Sequence, residues 1–153
     1  MSKKPKSLVG YCGLYCGACG IYQGRVKQAV ENLRLVIGAY GFDKIMPELA
    51  KWEPAFQYYK EFEKVNDAPI KLFGECPRCV SGGGDPGCAI RKCCKEKAYT
   101  TCVDCADMEK CDKLKQRDWT SKALRKIKAS GVENWAEEIQ RKVDAGFCYL
   151  DEK

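Results

Sequence analysis

The chain contains no histidine, and in 153 residues that absence excludes more chemistry than any motif supplies. Without imidazole there is no Cys-His pair, no Ser-His-Asp triad and no side chain that titrates unaided near neutral pH. Acid–base work falls to Asp, Glu, Lys or Tyr, and no paired-carboxylate motif stands out, so the sequence leans away from an enzyme. Long apolar runs are missing as well: nothing approaches the roughly 18 residues that cross a bilayer. The opening Met-Ser-Lys-Lys-Pro-Lys-Ser-Leu-Val-Gly is basic with no apolar stretch behind it, so no signal peptide is expected. Neither a G-x-x-x-x-G-K-[ST] loop nor a dinucleotide fingerprint is present. The glycine-rich segment 81–87 therefore reads as a flexible excursion, not a phosphate cradle.

What the chain has instead is twelve cysteines. Cys12, Cys16 and Cys19 form C-x3-C-x2-C. Cys76 and Cys79 form C-x2-C, followed by Cys88 and the adjoining Cys93 and Cys94. Cys102, Cys105 and Cys111 form C-x2-C-x5-C, and Cys148 stands apart in an apolar tail. A C-x2-C turn places two sulfurs within reach of one tetrahedral ion, and two such knuckles in a short chain are a strong metal signal. Cys88 and Cys93 are candidates to complete the Cys76/Cys79 site, with Cys94 as the alternative fourth ligand. Each cysteine triplet lacks a local fourth ligand, so the N-terminal triplet must borrow one from the second region or leave an open position. Three close cysteines plus a remote fourth is also a habit of iron–sulfur ligation. The C-x3-C-x2-C spacing occurs in radical S-adenosylmethionine enzymes too, but this chain is too short and too helical for their parallel barrel.

With neither membrane span nor signal peptide, the expected location is the cytoplasm, where thiols stay reduced and clustered cysteines read as metal ligands in place of disulfides. The net charge of +6 counts every thiol as neutral. A zinc held by four thiolates carries −2, because binding deprotonates its ligands. Two such sites bring the balance to about +2, so the basic surplus makes no case for nucleic acid as a partner.

Between the cysteine regions the pattern is helical. Val26, Val30, Leu33 and Ile37 mark an amphipathic helix closing near Gly38 or Gly41. A second helical region runs from Phe42 to about Val65, broken by Pro47 and Pro54. Its Trp52, Phe56, Tyr58, Tyr59 and Phe62 are expected to pack the core. Asp85-Pro86 resembles a cap and first turn for a short helix from Cys88 to Lys97. Further helices cover Trp119 to Ser130, stopping at Gly131, and Val132 to about Val143, ending at Gly146. Arg91 reads as structural, by a hydrogen bond to thiolate sulfur or to a carboxylate. Asp104, Asp107, Glu109 and Asp112 read as solvated loop residues.

The runs Tyr11-Cys12-Gly13-Leu14-Tyr15-Cys16-Gly17-Ala18-Cys19, Cys76-Pro77-Arg78-Cys79, Cys88-Ala89-Ile90-Arg91-Lys92-Cys93 and Cys102-Val103-Asp104-Cys105 together resemble a prokaryotic family, domain of unknown function 3795. The resemblance covers Val9 to about Leu114 and implies zinc binding by these cysteines without an established reaction. Alanine is common in that family where Cys94 stands, which favours Cys93 as the ligand. An aromatic–proline pair often precedes the family's last cysteine, whereas Glu109-Lys110 stands there in this chain.

These readings converge on an all-α protein with irregular cysteine-rich metal-binding loops, organised as one domain over 1–153. Segments 9–22 and 73–114 form its metal-binding lobe, and 23–65 with 115–146 its helical core. The expected ligands are Cys12, Cys16, Cys19, Cys76, Cys79, Cys88, Cys93, Cys102, Cys105 and Cys111. The expected metal is structural zinc, with an iron–sulfur cluster for electron transfer or sensing as the alternative. The expected role is a module that binds a protein partner.

Overall fold

The computed structural model describes residues 4–115 and 118–151. The fold is mainly α, with seven α-helices and no strand among the described residues. An isolated antiparallel bridge joins Val9 and Tyr15. The chain divides into two compact units, Gly24–Glu75 and the combination of Met1–Gln23 with Cys76–Lys153.

The first of these is purely helical: α1 (Arg25–Ala39), α2 (Phe42–Leu49), a 3₁₀ turn (Pro54–Tyr58) and α3 (Tyr59–Phe73). Gly24 and Gly41 precede α1 and α2 in the left-handed conformation, which glycine adopts without steric cost. The break expected at Pro47 does not occur, because Pro47 lies inside α2. One missing amide forfeits a single bond in so short a helix. Likewise α3 runs through Pro69 to Phe73, well beyond Val65. Arg34 of α1 donates to the Asp67 carboxylate of α3 at 2.6 Å.

Met46 is the one fully buried side chain of this unit. The aromatic residues expected in a core are therefore displaced outward: Trp52 is 88% exposed, and Tyr58, Phe56 and Phe62 are exposed as well. Three short helices within about 50 residues enclose too little volume to hide them.

The cysteine-bearing unit carries the core. Its helices are α4 (Ala89–Glu96), α5 (Asp112–Lys115), α6 (Asp118–Ser130) and α7 (Val132–Asp144). Gly131, at φ +83°, turns α6 into α7, and its N–H donates to Ile127 O at 2.8 Å. Trp135, Ala136 and Ile139 of α7 pack with Leu124 and Ile127 of α6 and with Leu8, Val9 and Tyr15. Burying a side chain of this size contributes about 1.5–3 kcal/mol before entropy is charged. The C-terminal tail ends in a 3₁₀ turn, Tyr149–Asp151, and Cys148 is fully buried as a small apolar residue. Leu150 Cδ1 would lie 2.4 Å from a Cβ at Gly20, so the tail packs closely over Gly20 and a side chain there would displace Leu150.

Charge follows the same division. Residues 24–75 hold eight basic and eight acidic side chains, so the whole surplus of +6 belongs to the cysteine-bearing unit.

Candidate metal centre

The N-terminal cysteines sit on a tight hairpin. Gly10 N–H donates to Leu14 O at 2.7 Å and Gly13 N–H to Gly10 O at 2.9 Å. The hairpin is pinned by Tyr15, which is fully buried; its hydroxyl donates to Gln140 Oε1 at 2.5 Å and its N–H to the Tyr149 hydroxyl at 3.2 Å. Burial, with the Asp144 charge adding, raises the Tyr15 pKa to about 12, so it stays a neutral donor. Cys12 and Cys16 flank this anchor. The next turn returns Cys19 N–H to Cys16 O at 3.0 Å, the tight bend that C-x2-C spacing requires.

Cys76 and Cys79 arrive on a second loop. Arg78 between them takes φ +88° and donates to Ser7 O at 3.0 Å. The glycine-rich segment that follows is not a loose excursion. Gly83 N–H donates to Arg78 O at 2.7 Å, folding the chain back over Cys76. A Cβ at Gly83 would fall 2.6 Å from Cys76 Sγ and 2.8 Å from Arg78 O, so a side chain there is excluded. Arg91, from α4, fastens the same loop. Its guanidinium donates to the carbonyls of Gly83 (2.7 Å), Asp85 (2.6 Å), Cys79 (3.2 Å) and Pro86 (3.3 Å). Its partners are backbone oxygens, neither the sulfur nor the carboxylate that sequence reasoning offered.

These loops bring the hairpin and the second cysteine region together. Cys79 N–H donates to Cys16 Sγ at 3.3 Å, across 63 positions of sequence. Cys12, Cys16, Cys19, Cys76, Cys79 and Cys88 line one pocket. Cys93, Cys94, Cys102, Cys105 and Cys111 line another. Cys94 Sγ and Cys102 Sγ are 3.7 Å apart. Cys102 N–H donates to Tyr11 O at 2.7 Å, which ties this second group to the hairpin beside Cys12. None of the twelve cysteines is in a disulfide. Among the described residues no three cysteine or carboxylate side chains meet closely enough to hold an ion as they stand.

The expected grouping of Cys93 with Cys76, Cys79 and Cys88 differs from this arrangement. Cys88 caps the start of α4 and Cys93 stands five residues further along. A rise of about 1.5 Å per residue carries it to the other pocket. Asp85 also differs from its expected role: its carboxylate accepts Gly87 N–H at 2.8 Å in a turn ahead of the helix. Asp104, read as a solvated loop residue, closes a capping box with Thr101. Its carboxylate accepts from Thr100 N–H and hydroxyl, both at 2.7 Å, and from Thr101 N–H. The Thr101-x-x-Asp104 spacing is the signal that would have disclosed it.

Electrostatics separates the thiols. The hydrogen bond from the Cys79 side chain lowers the Cys16 pKa to about 7 against the opposing effect of burial, with Cys79 N–H and Arg78 helping. Cys79 is pushed up in turn, first by giving its proton toward Cys16 and then by burial. The first pair therefore holds one readily formed thiolate and one thiol. Burial raises Cys102 and Cys94, so the second pair is neutral unless a cation enters.

A mainly helical fold with irregular loops that gather cysteines around two pockets defines a cysteine-rich domain with thiol-lined sites. Residues 8–116 match the model of the family described as Protein of unknown function (DUF3795), and the chain belongs to that family. No curated protein matches the chain, and no solved structure does. No helix among the described residues is long and apolar enough to cross a membrane.

Proposed function

We propose that the cysteine-bearing unit is a metal-binding scaffold with two thiolate centres, each holding a structural zinc. The observation that carries this reading is that eleven cysteines, none in a disulfide and drawn from loops far apart in sequence, line two pockets of one compact unit. The donor set suits the metal: thiolates bind zinc tetrahedrally at about 2.3 Å, and no imidazole competes for a place. The charge suits it as well. The unit that would accumulate two −2 centres is the one that carries +6. Thiolate ligation on this scale needs a reducing compartment, hence a cytoplasmic location. The Gly24–Glu75 unit is the proposed interaction surface for a protein partner, a reading supported by its exposed Leu35, Trp52, Tyr58 and Val65.

Anaerobic purification of the full chain followed by elemental analysis tests the metal assignment. Colourless protein with two zinc per chain is expected. Brown protein with broad visible absorbance and iron would overturn zinc in favour of an iron–sulfur cluster. Protein without metal that keeps its full thermal stability would overturn both.

A further inference from the structure

Five cysteines surround the second pocket, one more than a tetrahedral ion accepts. Two of them, Cys93 and Cys94, are neighbours on α4, so the helix turns them about 100° apart and favours one of them for the interior. Cys94 shares its face with Ile90, four residues earlier, and both are buried. Cys94 is 2% exposed, whereas Cys93 is partly open to solvent.

The spacing to Cys102 is informative. Two thiolates at tetrahedral positions about 2.3 Å from one ion stand about 3.8 Å apart, and Cys94 Sγ lies 3.7 Å from Cys102 Sγ. As neutral thiols the two share one weak S–H···S contact. With both protons released and a divalent cation between them, the same separation holds without moving either backbone. A cluster that takes one thiolate per iron would separate them. The remaining two donors come from the loop that follows Cys102. Cys105 and Cys111 line the same pocket, and because no three thiols among the described residues meet as they stand, these two would reach the ion by side-chain rotation.

We infer that the second centre is a mononuclear site for a zinc-class divalent cation, with Cys94, Cys102, Cys105 and Cys111 as its four thiolates and Cys93 outside it. This rests on the metal-binding reading above. It departs from the choice of Cys93 that the family resemblance favours, on the grounds of the Cys94–Cys102 spacing and the burial of Cys94. Binding releases four thiol protons and changes no oxidation state.

The test compares Cys94→Ser and Cys93→Ser in the full chain, measuring zinc per chain and, after cobalt substitution, the thiolate-to-cobalt absorption. Wild type is expected to hold two metal ions, Cys94→Ser one, and Cys93→Ser two. Loss of an ion from Cys93→Ser, or retention of both by Cys94→Ser, overturns the assignment while leaving the metal-binding reading intact. Wild type without metal overturns that reading itself. Should Cys94→Ser fail to fold, alkylation of native zinc-loaded wild type with iodoacetamide, mapped by mass spectrometry, decides the matter. Modification of Cys93 with both ions retained supports the assignment, and protection of Cys93 until metal is stripped overturns it.

Discussion

The two units of this protein are built on opposite economies. The Gly24–Glu75 unit is almost all helix yet fully buries a single side chain, Met46. The cysteine-bearing unit has shorter helices and long irregular loops, and it holds every other fully buried hydrophobic residue among those described. Regular structure and burial are thus nearly uncoupled here. The lesson is that loops acquire a core when something other than backbone hydrogen bonding crosses them, and in this unit cysteine, tyrosine and arginine do so. Interior packing in the first unit is sparse, and it relies on contacts such as Arg34–Asp67.

Metal removal should break the comparison most severely. If the proposed zinc is structural, a strong chelator is expected to unfold the cysteine-bearing unit while leaving the helical one, since such a site would contribute about 10–16 kcal/mol of apparent binding energy. Trp135, buried in that unit, should shift its fluorescence to the red while far-UV helicity falls only in part. An unshifted spectrum after complete demetallation would show that the unit stands without metal.

Next in size is Leu124→Ala, at a fully buried position, with an expected loss of about 2–5 kcal/mol in denaturant unfolding. Arg91→Lys follows at about 1.5–3 kcal/mol, because an ammonium cannot span four carbonyls. That loss should appear as faster alkylation of Cys76 and Cys79 before any change in helicity.

The helical unit should answer to acid through its ion pair. The Arg34 hydrogen bond holds the Asp67 carboxyl below the ordinary aspartate range. Its stabilisation is present above the unfolded aspartate pKa of about 4 and is lost as pH falls through the lower folded value. Arg34→Gln should erase that part of the acid transition, read by circular dichroism on chelated protein. An identical transition in both proteins would remove the pair from the account. Smallest of all, Trp52→Ala should change thermal stability by less than about 0.5 kcal/mol, since the ring is almost wholly in solvent. A larger loss would mean that Trp52 packs in solution.

Much of this was legible in the residues. The spacing of Val26, Val30, Leu33 and Ile37 marked α1, and Val132, Trp135, Ala136 and Ile139 marked α7, because periodicity reports local structure directly. Apolar character did not report burial: Trp52 and Tyr58 belong to a helical region with no interior to enter. The grouping of the cysteines was only partly readable. C-x2-C spacing fixes which two sulfurs share a turn, but the partner loop depends on tertiary contacts such as Cys79 N–H to Cys16 Sγ. The split between Cys88 and Cys93 needed the direction of α4, which spacing alone does not provide. Arg91 was legible as structural, but its four carbonyl partners were not, since any loop has carbonyls to offer.

The Arg91 clamp has a bearing on the order of events when metal is taken up. It joins Cys79, Gly83, Asp85 and Pro86 through a charge that needs no ion to exist. An empty loop fastened this way keeps Cys76 and Cys79 within a small search volume, so an arriving cation meets two thiols already held close. The entropy of closing that loop is then met during folding and not at capture. In the metal-dependent unit proposed above, the clamp would thus form early in folding, and capture of the ion would complete the unit around it.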